Sequence, residues 1–227
     1  MTSNLIVWGV GTSLTIRVHW ALRELRLDYE CIPILARSGE TKSPEYTALN
    51  PRQKIPLLQD GTLAIGESAA IVAYLARKYR GQSVGLIPDD EVQYAKWLEW
   101  CFFIVAELDA TSLYVMRRHS AGKGLAHIYG ESRVVVARAG EYFKVQLKYA
   151  QLALTDGRDY LLGDQFTTAD ILLTTCLTWA IEYGLSLPEV ILDYLDRTRG
   201  RKAYQAALEA NMTSSASSPN SVGARIA

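Results

Sequence analysis

Leu5-Ile6-Val7-Trp8 is an unbroken apolar run closed by Gly9 and Gly11, the pattern of a strand buried on both faces. Apolar residues return at Leu14, Val18, Ala21, Leu22 and Leu25, the i, i+4, i+7, i+8 spacing of one helix face. Tyr29 to Leu35 then reads as a second strand. Strand, helix and strand in so short a span form a βαβ unit, with parallel strands and a right-handed crossover. Gln59 to Ile65 reads as two short strands about the turn Asp60-Gly61, and Leu57-Leu58 extends the first. Glu67 to Tyr79 is helical, with Ile71, Tyr74 and Leu75 on one face. This βαβ-ββα order predicts an α/β domain over residues 1–80, a sheet with helices packed on it.

The pattern changes after Tyr79. Gly81, Gly85 and Pro88 punctuate a connector over 81–88, and beyond it the signals are helical. Asp89 is placed to cap a long helix running through Trp97, Trp100 and Phe103 toward Met116. A second helix covers about Glu131 to Leu154, a third begins near Thr167, Pro188 opens a fourth, and Lys202 to Glu209 forms a last short one. The second domain, residues 89–210, is therefore expected to be all-α. From Asn211 to the last residue, 227, the chain is serine-rich with little to pack, which predicts disorder.

Composition narrows the function without naming it. Apolar residues make up 49% and charged residues 21% of the 227 positions, as in soluble globular proteins. Lysine plus arginine balances aspartate plus glutamate at 24 each, so no global field recruits nucleic acid or an anionic membrane. No basic residue precedes Arg17 as a signal peptide would need, and no stretch approaches a membrane span. A cytoplasmic protein is expected. Cys31, Cys101 and Cys176 are far apart and show no metal or dithiol spacing, so they read as structural thiols in a reducing compartment. His19, His119 and His127 show no metal spacing either. His19 falls off the apolar stripe of the first helix and reads as a solvated surface residue.

Three short stretches carry candidate chemistry. Pro56 stands at the mouth of a strand, where it cannot donate a ladder hydrogen bond. It is either a trans edge-strand proline or a cis-proline that turns the backbone of Ile55 outward toward an extended ligand. Gly66-Glu67-Ser68 ends the hairpin and opens a helix, whose unpaired N–H groups attract a carboxylate. The plainer reading is that Glu67 and Ser68 cap their own helix. Gly11-Thr12-Ser13 ends the first strand and starts the first helix, and offers a hydroxyl beside an anion or, again, only a cap.

Taken together these stretches resemble a known family. "NPRQKIPLL" resembles the N-P-x-G-K-V-P-x-L segment of cytosolic glutathione transferases, and "IGESAAIVAYLARKY" is similar to their E-S-x-A-I-x-x-Y-L signature. "GDQFTTADILL" is similar to the capping segment of their helical domain, with Thr167 and Asp170 as the capping box. The resemblance covers residues 5 to 210 and implies a thioredoxin-like domain followed by a helical domain. It implies a cis Ile55–Pro56 bond, with Ile55 pairing backbone to backbone with the cysteine of glutathione as co-substrate. It also implies that Glu67 and Ser68 hold the γ-glutamyl end and that Lys54 meets the glycine carboxylate. Gln53 stands where the family has glycine and would add a polar contact near the glycyl end; Arg37 and Arg52 are further candidates.

The serine-type members place their catalytic hydroxyl near the end of the first strand. Counting back from Arg17-Val18 lands on Thr12, with Ser13 one step on, and the choice between them stays open. No tyrosine precedes Tyr29 and no cysteine precedes Cys31, against the tyrosine-type and cysteine-type classes. The implied activity is conjugation of glutathione to small apolar electrophiles, a detoxification role, with peroxide reduction as a related reaction and no metal. Trp100, Phe103, Glu107 and Tyr114 are spaced to face a cleft, but aromatics at helical spacing are more often core or dimer contacts. The family resemblance implies a homodimer. Two other readings compete: a glutathione-dependent isomerase of the zeta kind, of whose motif only the R-V end is kept, and a non-catalytic ligand-binding or assembly module on the same fold.

Overall fold

The computed structural model describes residues 5–80 and 85–212. They form two compact units: the residues up to 80 together with those from Arg201 onward, and Gly85–Gly200. Residues 81–84 of the expected connector and 213–227 of the expected disordered tail lie outside the described residues.

The first unit holds a four-stranded sheet of order β2-β1-β3-β4, made of β1 (Leu5–Val10), β2 (Glu30–Leu35), β3 (Leu57–Asp60) and β4 (Leu63–Gly66). β1 runs parallel to β2 and antiparallel to β3, and β3 and β4 form the hairpin. This is the thioredoxin-like arrangement that the family resemblance implied, built on the βαβ-ββα order. The helices are α1 (Thr15–Glu24), α2 (Pro44–Leu49) and α3 (Ser68–Lys78). The short α2, with a 3-10 turn at Glu40–Lys42 before it, was not expected from the sequence. Ser43 caps it and Pro44 sits in its first turn, a signal that was there to be read. Its Tyr46 completes a core of Trp8, Ile32, Ile34 and Leu57, and meets the Trp8 ring edge-on at 5.7 Å. By the two-residue alternation of a strand, Leu5 and Val7 point to the opposite face, where α1 and α3 lie.

A further helix, the last in the chain, also belongs to this unit, although the sequence reading assigned it to the helical domain. It packs antiparallel on α1. Arg201, just before it, makes two hydrogen bonds to the Glu24 carboxylate, at 2.6 and 2.8 Å. Tyr204 stacks edge-on against Trp20 at 4.8 Å. Asn211 at its end reaches residues 11–15. The helix closes the outer side of α1, which is why Thr15 to Leu22 are all buried.

The second unit contains α4 (Glu91–Phe103), α5 (Tyr114–His119), α6 (Ala126–Tyr129), α7 (Arg133–Leu154), α8 (Thr168–Glu182) and α9 (Glu189–Arg199). The helix of the first unit is therefore α10 (Lys202–Asn211). α4 starts one residue later than expected, since Asp90 rather than Asp89 accepts from the amides of Val92 and Gln93. Between α4 and α5, Ile104–Leu113 widens into a π-helix. There the hydroxyls of Thr111 and Ser112 donate to the carbonyls of Ala106 and Glu107, five residues back. Leu86 and Ile87, expected in the connector, are buried in this unit, and Leu86 accepts from the amide of Thr168.

Thr167 and Asp170 form the expected capping box at the start of α8. Asp170 is fully buried and accepts from the Leu161 amide at 2.9 Å, the Thr167 amide at 2.8 Å and the Thr167 hydroxyl at 3.0 Å. The Tyr194 hydroxyl donates to it as well, at 2.9 Å. Burial pushes the Asp170 carboxyl up, against these four donors that pull it back. One carboxylate thus ties α8, α9 and the 161 loop together. No helix among the described residues is long and apolar enough to cross a membrane.

Candidate active site

Strand register brings the three candidate stretches to one end of the sheet. Trp8 pairs with Leu57, and Leu57 pairs with Gly66. One step on, alternation of direction sets Gly9, Pro56 and Glu67 side by side across β1, β3 and β4. The Ile55–Pro56 peptide bond is cis. Gly9 has φ +112°, and a Cβ built on it would lie 2.6 Å from Cβ of Ile55. Only glycine allows so close an approach at that backbone angle. From the other side, the Tyr46 hydroxyl and the Asn50 side-chain amide donate to the Lys54 carbonyl at 2.7 and 2.8 Å. Burial pushes the Tyr46 phenol up to about 12, so it stays a donor. The 53–56 turn is therefore held from below while the Lys54 side chain is exposed. Gln53 directs its amide nitrogen to the Thr47 hydroxyl at 3.1 Å.

At the start of α3, Glu67 has φ +65° and no side chain caps the helix. A non-glycine residue in that region costs about 1–3 kcal/mol and persists where its surroundings impose it. Glu67 is exposed and pairs with Arg52; it does not cap α3. Ser68 is buried, and its hydroxyl accepts from Nη1 of Arg17 at 3.3 Å. Arg17 is itself only 1% exposed. A buried guanidinium beneath an uncapped helix N-terminus makes an anion-attracting corner. In the sequence Arg17 stands out only as the first member of the Arg17-Val18 pair. Its signal was a charge set between Ile16 and Val18, on a helix that turns out to be buried all round.

The loop before α1 separates the two candidate hydroxyls. Oγ1 of Thr12 accepts from the amides of Leu14 and Thr15 at 3.3 and 3.0 Å. Both of its lone pairs are then occupied, so its proton faces Oγ1 of Thr15 at 3.0 Å. The Thr15 oxygen also accepts from the Thr12 amide at 2.9 Å, and its hydroxyl donates to Oδ1 of Asn211 at 2.7 Å. Thr12 is thus a cap whose hydrogen bonds are closed within the protein. Ser13, half-buried beside it, makes no hydrogen bond with any described residue.

His19 corrects the sequence reading. It is buried, not solvated, because its ring faces Gly9 at the end of β1 and Tyr29 before β2 rather than water. Its Nε2 lies 3.2 Å from the Gly9 carbonyl and its Nδ1 lies 2.8 Å from the Tyr29 hydroxyl. A carbonyl only accepts, so Nε2 carries the proton and Nδ1 accepts from Tyr29. Burial lowers the imidazole to about 4, with the Arg23 charge acting the same way and the Gly9 bond opposing it. The folded pKa lies below the ordinary 6.5, so stability is full above 6.5 and is lost as pH falls from there through about 4. The whole shift corresponds to about 3 kcal/mol. His19→Gln, which can still donate to Gly9, is expected to flatten this loss; urea titrations at pH 7 and pH 4.5 measure it, and parallel losses in both proteins would refute it.

The remaining candidates sit elsewhere. Trp100 stacks on Tyr149 at 4.5 Å, Phe103 meets Tyr149 edge-on, and Tyr114 meets Trp179 edge-on, all inside the helical unit. Tyr142 donates to Glu107. No disulfide joins the three cysteines: burial pushes the Cys31 thiol up to about 11, and Cys176 donates to Asp109 at 3.1 Å. No group of three metal-ligating side chains occurs among the described residues.

Comparison with known proteins agrees with this geometry. Residues 3–77 match the family description "Glutathione S-transferase, N-terminal domain", and residues 107–206 match "Glutathione S-transferase, C-terminal domain". The chain is 30% identical to "Glutathione S-transferase GstA" of Escherichia coli O157:H7, over 85% of this chain and 91% of that one. The chain belongs to the glutathione S-transferase family. It is also 32% identical to "Glutathione S-transferase 1" of Schizosaccharomyces pombe, over 68% of this chain and 66% of that one. A similar solved structure within the family is a theta class glutathione S-transferase from Xanthomonas axonopodis pv. citri with glutathione bound. It is 27% identical, with a TM-score of 0.78 over 93% of this chain and 99% of that one.

Proposed function

We propose that this chain is a glutathione transferase in which Ser13 donates a hydrogen bond to the glutathione thiolate, which then attacks a small apolar electrophile. The observation that carries this reading is the contrast in the 11–15 loop, where the Thr12 hydroxyl is closed into the protein and that of Ser13 is not. Family membership supplies the co-substrate. The cis turn at Ile55–Pro56 would pair with its cysteinyl backbone. The uncapped start of α3, with Ser68 above Arg17, would receive the γ-glutamyl carboxylate, with Glu67 beside it. Lys54 would meet the glycyl carboxylate, and Gln53, turned to Thr47, supports that bend from the side.

The chemistry required is modest. A thiol near pKa 8.5 is about 3% ionised at pH 7, and lowering it by two units takes about 2.7 kcal/mol. One hydroxyl donor to a charged sulfur contributes about 1.5–3 kcal/mol, and a helix N-terminus about 0.3–1 kcal/mol. Together they cover the need. Ser13 does not act as a base, since its hydroxyl does not titrate near neutrality; holding the electrophile close supplies the rest. The same thiolate can reduce an organic peroxide, and no step needs a metal. We read the protein as a cytoplasmic homodimer serving detoxification. The exposed Phe102 on α4 and the exposed Val145, Tyr149 and Leu152 along α7 support a second copy as partner.

Retention on immobilised glutathione, with turnover of an aryl halide, tests the reading. Ser68→Ala is expected to raise the KM for glutathione about tenfold, the effect of losing about 1.4 kcal/mol of binding, with a smaller change in kcat. Turnover of a cis-enone acid alone would favour the isomerase. Absence of both retention and turnover would favour the assembly module.

A further inference from the structure

We propose that Asn211, the last residue of α10, is a positioning residue for thiol activation, acting on the loop that carries Ser13; the inference rests on the functional reading above. Asn211 lies 198 positions after Ser13 in the sequence, yet it holds the residues on both sides of it. Its backbone carbonyl accepts from the Gly11 amide at 3.0 Å, and its Oδ1 lies 3.1 Å from the same amide. Oδ1 also accepts from the Thr15 hydroxyl at 2.7 Å, and Nδ2 donates to the Thr12 carbonyl at 3.3 Å.

The chemistry of these partners fixes which end of the amide is which. Gly11 offers only a donor there and the Thr12 carbonyl only accepts, so neither an ester-like oxygen pair nor an apolar group of the same size satisfies both. Through Thr15 the effect continues to the Thr12 hydroxyl, and through it to the first amides of α1. Ser13 has no hydrogen bond of its own to a described residue. Its orientation is therefore set by Gly11, Thr12 and Thr15, all of which Asn211 touches.

The approach of Asn211 follows from the way α10 is seated. The Arg201–Glu24 pair and the Tyr204–Trp20 contact align it antiparallel to α1, so its C-terminal end arrives at the N-terminal end of α1. A purely structural role would alter stability alone. A positioning role alters the ionisation of bound glutathione, because a donor displaced by a fraction of an ångström stabilises the thiolate less.

The experiment compares wild type, Asn211→Ala and Asn211→Asp. It follows the thiolate absorbance of the glutathione complex and kcat/KM from pH 5.5 to 9.5 at a temperature where all are folded. Asn211→Ala is expected to raise the thiol pKa by about half to one unit, a three- to tenfold loss at pH 6, with the KM for glutathione changed less than twofold. Asn211→Asp keeps the acceptor and the size of the side chain, loses the donor to Thr12 and adds a negative charge. It is expected to raise the pKa at least as far, and it decides the matter if the alanine variant does not fold. Profiles of both folded variants that overlay the wild type, or of Asn211→Asp alone where the alanine variant is unfolded, would overturn the positioning role while leaving the transferase reading intact. A wild-type complex with no thiolate band would overturn the functional reading, and this inference with it.

Discussion

Ser13→Ala is expected to lower kcat/KM at pH 6 by about 20- to 75-fold, and the variant and wild-type profiles should meet above about pH 9. The magnitude follows from a thiol pKa that rises from about 6.5 to about 8–8.5 once the donor is gone, the helix N-terminus keeping a small part of the shift. The convergence follows because both complexes are fully ionised at high pH. The KM for glutathione should change little, since the tripeptide is to be held by the 53–56 turn and the start of α3. Thr12→Val is the control. It removes a cap and destabilises the protein by about 1 kcal/mol, yet the thiolate band should persist with a smaller shift. A band lost in Thr12→Val and kept in Ser13→Ala would transfer the role to Thr12.

Asp170→Ala is expected to give the largest loss of stability in the helical unit. The carboxylate accepts from four donors, and its removal leaves the Leu161 and Thr167 amides and the Tyr194 hydroxyl buried without it. Orphaned buried donors cost about 1–3 kcal/mol each before relaxation, so a net loss of about 4 kcal/mol is expected. For a chain of this size that corresponds to a fall of about 10 °C in the thermal midpoint. Circular dichroism melts check it. Below the transition the KM for glutathione should be unchanged, because every proposed glutathione contact lies in the first unit. A midpoint within a degree or two of wild type would contradict the account of the capping box.

What was legible in the sequence was what local pattern controls. The apolar run Leu5 to Trp8 became β1, the Thr167/Asp170 spacing became the capping box, and Pro56 is preceded by a cis bond. Short elements were missed: α2 and α6 hold only six and four residues, too few for a periodic signal. The π-helical stretch escaped because widening a helix barely changes its apolar spacing over ten residues. Near the site, Gly11, Thr12 and Ser13 were read as a group, but the hydroxyls of Thr12 and Ser13 are told apart by hydrogen bonds that include one to Asn211. His19 and Asn211 escaped for different reasons. His19 lies off the apolar stripe of α1 and is buried by polar partners, Gly9 and Tyr29, that an apolar pattern does not register. Asn211 acquires its partners, Gly11, Thr12 and Thr15, from the other end of the chain, and no short window contains them together.

The return of α10 to the first unit has a consequence for the order in which the molecule can be completed. Translation delivers β1 to α3 early, then the whole helical unit, and only afterwards the segment that covers Trp20 and ties down Gly11. Until the ribosome has released residue 211, the nascent thioredoxin-like fold carries an open apolar flank. On the proposed reading, the loop that carries Ser13 is unfinished during that time, so competence to activate a thiol is expected to follow the arrival of α10 rather than the folding of the sheet.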